Sequence, residues 1–80
     1  MDNIILDSHL VGEVVKMYRE KSGLSQEVVS GFAGIGRTHL SAIESGMRKP
    51  TLETFFRVCH AMNAKPSEVL QSIENKIDMK

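Results

Sequence analysis

The sequence predicts an all-α domain of five short helices, on three observations. Apolar residues recur at spacings of three and four in each longer segment, which marks one face of a helix. Capping, breaking or opening residues stand between those segments at Ser25, Gly34, Gly46, Thr51 and Pro66. No run alternates apolar and polar residues as a half-buried strand does, and only Asn3–Leu6 stays open to a strand.

Asp7 or Ser8 caps the first helix, whose apolar positions are Leu10/Val11, Val14/Val15 and Tyr18. It stops near Ser22–Gly23, since glycine is the usual residue past a helix end. Ser25 caps a second helix over residues 26–32, with Glu27 in the first turn, where a carboxylate suits the helix dipole. Gly34 breaks it, and the third helix begins almost at once near Gly36–Arg37 and ends at Gly46. The loop Met47-Arg48-Lys49-Pro50 leads to Thr51, which caps a fourth helix with apolar residues at Leu52, Phe55, Phe56, Cys59 and Met62. Asn63-Ala64 ends that helix. Pro66 opens the fifth, with Val69, Leu70, Ile73 and Ile77 on one side, and Lys65 sits at its cap, where Ser, Thr or Asp would bind the amides better.

Eighty residues suit one domain, taken as 1–80, and 41% hydrophobic residues argue against disorder. Ten basic residues balance ten acidic ones, so attraction to an anion must come from local arrangement. Cys59 is the single cysteine, which excludes an internal disulfide and a paired-cysteine metal site. MDNIILD is acidic with a short apolar run, neither a leader nor a membrane span, and a cytoplasmic protein with no membrane contact is expected.

Enzyme chemistry finds no foothold. Cys59 and His60 are neighbours on a helix, so their side chains diverge by about 100° and do not act as nucleophile and base. His9, His39 and His60 lack metal-ligand spacing. Residues 31–38, GFAGIGRT, have the glycine spacing of a phosphate loop, but Arg replaces its Lys and no strand precedes it. No catalytic residue, cofactor or metal is expected.

The third helix has an unusual face. On a wheel of about 100° per residue, Leu40 and Ile43 define the buried side. Thr38, Ser41, Ala42 and Ser45 gather opposite, flanked by Arg37 and His39. A helix with two apolar anchors and small hydrogen-bonding side chains outward can lie close in a DNA major groove. With the helix before it and the glycine turn between, residues 26–45 have the layout of a helix-turn-helix.

The stretch GLSQEVVSGFAGIGRTHLSAIESGMRKPTLETFFRVCHAMNAKPSEVL resembles the five-helix DNA-binding domain of the phage-repressor (lambda repressor-like) and Xre-like helix-turn-helix family. The matching elements are Gly23–Gln26, Gly34, Arg37–Gly46 and Pro50–Thr54, and the likeness spans about residues 8–74 without insertions. It implies that Arg37 and Thr38 read bases, with Ser41 and Ala42 one turn further on. Gln26, His39, Ser45, Arg48 and Lys49 would contact phosphates, and Arg19 and Glu44 would form a structural ion pair. Gly36 and Ala42 depart from the family pattern, removing a side-chain cap and narrowing readout by the second turn to apolar or methyl contact. Phe32 stands where relatives carry a solvated polar residue.

The Val69, Leu70, Ile73, Ile77 stripe calls for a cover, either packing within the chain or a two-fold interface. Its continuation to Ile77 favours an interface, hence a homodimer on double-stranded DNA. The resemblance implies a sequence-specific transcriptional regulator, a restriction–modification controller or phage-type repressor acting near its own promoter. With no second domain, no small-molecule ligand is expected. The rival is a protein-interaction module, such as an antitoxin-like partner on the same fold.

Overall fold

Side-chain caps set where the helices begin. In the computed structural model, which describes residues 5–78, Asp7 accepts the His9 amide at 2.9 Å and opens α1 (Ser8–Ser22). Ser25 accepts from Val28 at the head of α2 (Gln26–Ala33), and Thr51 from Thr54 at the head of α4 (Leu52–Ala61). Gly36 precedes α3 (Arg37–Glu44) with no side-chain cap bond. Before α5 (Pro66–Asp78), Lys65 contributes only its carbonyl, which accepts the Glu68 and Val69 amides. Gly23 and Gly34 close α1 and α2 in the left-handed conformation, at φ 76 and φ 73, which glycine adopts without a Cβ clash. No strand occurs among the described residues; Asn3 lies outside them, and Ile5 and Leu6 have no regular structure.

One core joins all five helices. It is built from Val11, Val14 and Val15 of α1, Val29 and Ala33 of α2, Leu40 and Ile43 of α3, Phe55, Val58, Cys59 and Met62 of α4, and Val69 and Ile73 of α5. Each large aliphatic side chain buried here is worth about 1.5–3 kcal/mol relative to exposure. Helix α1 packs on α3 and α5, α2 packs on α3 and α4, and α4 on α5.

The α1–α3 crossing is unusually close. Gly12 is buried in the middle of α1, where glycine costs about 0.5–1 kcal/mol relative to alanine. A Cβ at this position would collide with the Ile43 carbonyl oxygen and stand 2.7 Å from that of Glu44. The glycine therefore lets α1 seat against the backbone of α3's last turn.

Two apolar stripes differ from expectation. On α4, Leu52 and Phe56 are exposed (69% and 49%), and Val58 takes the place in the core. Phe56 stands about 100° around the helix from buried Phe55, beyond the arc that α2 and α5 cover. On α5, Val69 and Ile73 are buried within the chain itself and Ile77 packs partly against the core, which leaves Leu70 as the exposed member of the four. Intramolecular packing therefore accounts for Val69 and Ile73, because the stripe faces α1 and α4.

Candidate nucleic-acid interface

Glycine chemistry shapes the turn that presents α3. Gly34 donates to the Gly31 carbonyl at 3.2 Å, and Ile35 donates to that of Ser30 at 3.0 Å. The chain thereby reverses within Gly34–Gly36, and Ile35 packs against the core. Helix α3 is then anchored by Leu40 and Ile43, 0% and 1% exposed. Arg37, Thr38 and Ser45 lie exposed on its outer side, with Ser41 and Ala42 half-buried between them and His39 half-buried at the flank.

A buried polar network fixes the roll of α3. The Glu44 carboxylate, 3% exposed, accepts Arg19 Nε at 2.7 Å and Arg19 Nη2 at 3.1 Å, a bidentate pair. Arg19 Nη1 donates to the Leu24 carbonyl at 2.8 Å, tying the α1–α2 turn into the same cluster. Gln26 Nε2 donates to Glu44 Oε1 at 3.0 Å. The hydrogen bond to Glu44 is the main cause that raises the Arg19 pKa above its ordinary value, so the guanidinium stays charged. No buried side-chain polar atom among the described residues lacks a partner.

The network reaches the surface through Gln26. Its Oε1 accepts Arg37 Nη1 at 3.4 Å, so one amide joins the buried ion pair to the first residue of α3. The Gln26–Glu44 bond has no signal in periodicity or composition, because residues 26 and 44 meet only through the fold. One N–H of the Gln26 amide is committed inward.

The loop after α3 folds back over the helix end. Met47 and Arg48 amides both donate to the Ala42 carbonyl, at 2.9 and 3.2 Å. Ser8 Oγ donates to the Gly46 carbonyl at 2.9 Å, and Gly46, at φ 83, lies so close to His9 that a Cβ would stand 2.7 Å from its ring. Arg48 and Lys49 remain exposed in the loop that follows α3. Across residues 37–49 the charged side chains are Arg37, Glu44, Arg48 and Lys49. Glu44 is neutralised by Arg19, and the three cations have no carboxylate partner among the described residues. A chain of zero net charge thus carries a local positive surface.

A polar helix face, a glycine turn before it and cations beside it form the layout of a DNA-reading helix-turn-helix. The helix-turn-helix family model matches residues 15–76. The chain belongs to the helix-turn-helix family. It is 33% identical over 61 residues to the HTH-type transcriptional regulator y4dJ of Sinorhizobium fredii, covering 76% of this chain and 79% of that protein. It is 30% identical over 69 residues to the control protein C.SmaI of Serratia marcescens, covering 84% and 82%. Among solved structures, the restriction-modification controller protein C.AhdI of Aeromonas hydrophila superposes with a TM-score of 0.76 at 26% identity, over 81% of this chain and 98% of that one. The helix-turn-helix chain is a transcriptional regulator of this DNA-binding type rather than an enzyme. Among the described residues, no helix is long and apolar enough to cross a membrane.

Proposed function

We propose that the protein binds a two-fold DNA operator as a homodimer, each copy placing α3 in a major groove, and that one operator lies at its own promoter. The observation that carries this reading is the outer face of α3, where Thr38, Ser41 and Ser45 offer hydroxyls beside the small Ala42, with the cations Arg37, Arg48 and Lys49 exposed at its head and in the loop that follows. Arg37 suits the two acceptors of a guanine edge, and Thr38 offers a hydroxyl with a methyl for thymine. Ser41 and Ala42 follow on the next turn as closer, less selective contacts. Gln26 through its second N–H, with His39, Ser45, Arg48 and Lys49, would hold phosphates. Likeness to C.SmaI and C.AhdI favours a restriction–modification controller over a phage-type repressor.

An apolar groove outside α3 offers a dimer surface. Leu6, Pro50, Leu52, Phe55 and Leu70 line an apolar groove of about 170 Å³, with Lys49 at its edge. Leu52 and Leu70 are 69% and 43% exposed there. A two-fold contact through this groove is the arrangement we propose for reading two half-sites about 34–36 Å apart. Of the α5 stripe, Leu70 and Ile73 line this groove, Leu70 being the exposed one, whereas Val69 and Ile77 do not line it.

Fluorescence anisotropy with DNA from upstream of the gene and a scrambled control, at two salt concentrations, tests the reading. Binding at least about 10³-fold tighter to the upstream DNA, with a steep salt dependence, is expected. Equal and feeble binding to both would overturn it. Light scattering should give about twice the 8.9 kDa chain mass, a value that Leu52→Ser with Leu70→Ser returns to the monomer.

A further inference from the structure

A second apolar groove lies between α2 and α4, apart from the face of α3. Phe32 and Phe56 line it with Gly34, Arg57, His60 and Pro66, a shallow hollow of about 640 Å³ open to solvent. Phe32 is 75% exposed and Phe56 49%. Val28, 42% exposed, stands one turn before Phe32 on the same side of α2 and lengthens the ridge. The groove shares no lining residue with the Leu6–Leu52–Leu70 groove.

Its lining holds one guanidinium and no carboxylate. Arg57 lines it beside the imidazole of His60, and Lys65 adjoins Pro66 at its end. Arg57 is bonded to Glu53 one turn back, at 2.8 Å, with side chains 54% and 75% exposed. An exposed pair at this spacing is worth only about 0.3–0.5 kcal/mol, so the guanidinium is readily given to an incoming carboxylate. Arg57 Nη1 lies 3.8 Å from where a Cβ on Gly34 would stand, so it reaches over the turn between α2 and α3.

We infer that this groove docks an amphipathic, acidic helix of another protein. Two exposed phenylalanines are the side-chain type that dominates binding at protein interfaces. A trough between two helices accepts a third by ridges-into-grooves packing, its apolar anchors on Phe32 and Phe56. Carboxylates on the incoming helix meet Arg57 and Lys65, with His60 as a hydrogen-bonding neighbour, which sets the sign of partner accepted. No residue of α3 lines the groove, and Arg57 and His60 lie about 9–14 Å along α4 from its Thr51 end, which follows the cationic loop. The inference does not depend on dimerisation or on a particular operator.

The test uses the full chain and two synthetic helical peptides with the same leucine face, one carrying glutamates on its other face and the second lysines. The glutamate peptide should bind at least about tenfold tighter than the lysine peptide and shift the amide resonances of Phe32, Gly34, Phe56, Arg57 and His60. Phe32→Ser and Arg57→Gln, both at exposed positions, should each weaken that binding while the circular dichroism spectrum and affinity for double-stranded DNA stay unchanged. Equal binding of the two peptides, binding of neither, or shifts confined to other surfaces would overturn the inference. Lowered DNA affinity in the two variants would assign the groove to nucleic acid instead, and a lowered mass of Phe32→Ser in light scattering would assign it to a second copy of the chain.

Discussion

The α1–α2–α3 end of the molecule and its α4–α5 end are held by different physics. At the first, a buried carboxylate gathers three donors from Arg19 and Gln26, and α1 crosses α3 with glycine at the contact. At the second, Phe55, Val58, Cys59, Met62, Val69 and Ile73 pack without a buried ion pair, and Leu52, Phe56 and Leu70 are left on the surface. Directional bonds fix the angle of a helix about its own axis, whereas apolar packing tolerates small rotations. The end that presents α3 is thus the one with a fixed roll, and the other end is held by apolar packing alone.

Removing one charge of the buried pair breaks this contrast most severely. Arg19→Met leaves Glu44 buried without its cation and should cost about 3–5 kcal/mol in urea unfolding, near the whole stability of a domain this small. A loss below about 1 kcal/mol would mean that the pair is no more than surface decoration. Gly12→Ala attacks the same end through shape and should cost about 3 kcal/mol, because the new methyl meets backbone oxygens. Gly31→Ala is its control: nothing lies near the added methyl, and α2 should gain about 0.5–1 kcal/mol.

The apolar end has its own signature in alkali. Burial pushes the Cys59 thiol up from 9.0 to about 11. The unfolded chain loses this proton first, so the contribution is full below pH 9.0 and declines as pH rises to about 11. The loss should be on the order of 2–3 kcal/mol, read as the difference between wild-type and Cys59→Ala stability curves over that window. Parallel curves would mean that the thiol is not enclosed.

Smaller effects separate presentation from contact. Arg37→Ala should leave thermal stability unchanged yet cost about 1–3 kcal/mol in operator binding and relax preference at one base position. Lys49→Ala should weaken binding to all sequences alike and lower the salt slope by about one. If Arg37→Ala left sequence preference intact, α3 would not be the reading helix.

Much of the fold was legible because its signals are local. Asp7, Ser25 and Thr51 cap the helices with their own side chains, and Gly23 and Gly34 end them. Leu40 and Ile43 are apolar in a stretch with little else to bury, so the orientation of α3 was open to inspection. The α4 stripe misled at Phe56 and omitted Val58, because a wide apolar arc does not say which part of it the neighbours cover. Gly12 lies within α1, where glycine costs helix stability. Its reason is the backbone of α3, which lies thirty-one residues away at Ile43, and no local pattern records that approach. The bond from Gln26 to Glu44 is hidden for the same cause.

That bond ties the grammar of α3 to its frame. From Arg37 through Gln26 to Glu44 and Arg19, four side chains run in one line from the outermost guanidinium to the innermost one. Position 37 is therefore not a free letter to be rewritten for a new base. A replacement with no donor leaves the Gln26 oxygen to solvent, and the amide is then held by its inward bond to Glu44. Retargeting this protein to another sequence means choosing residues 26 and 37 as a single word.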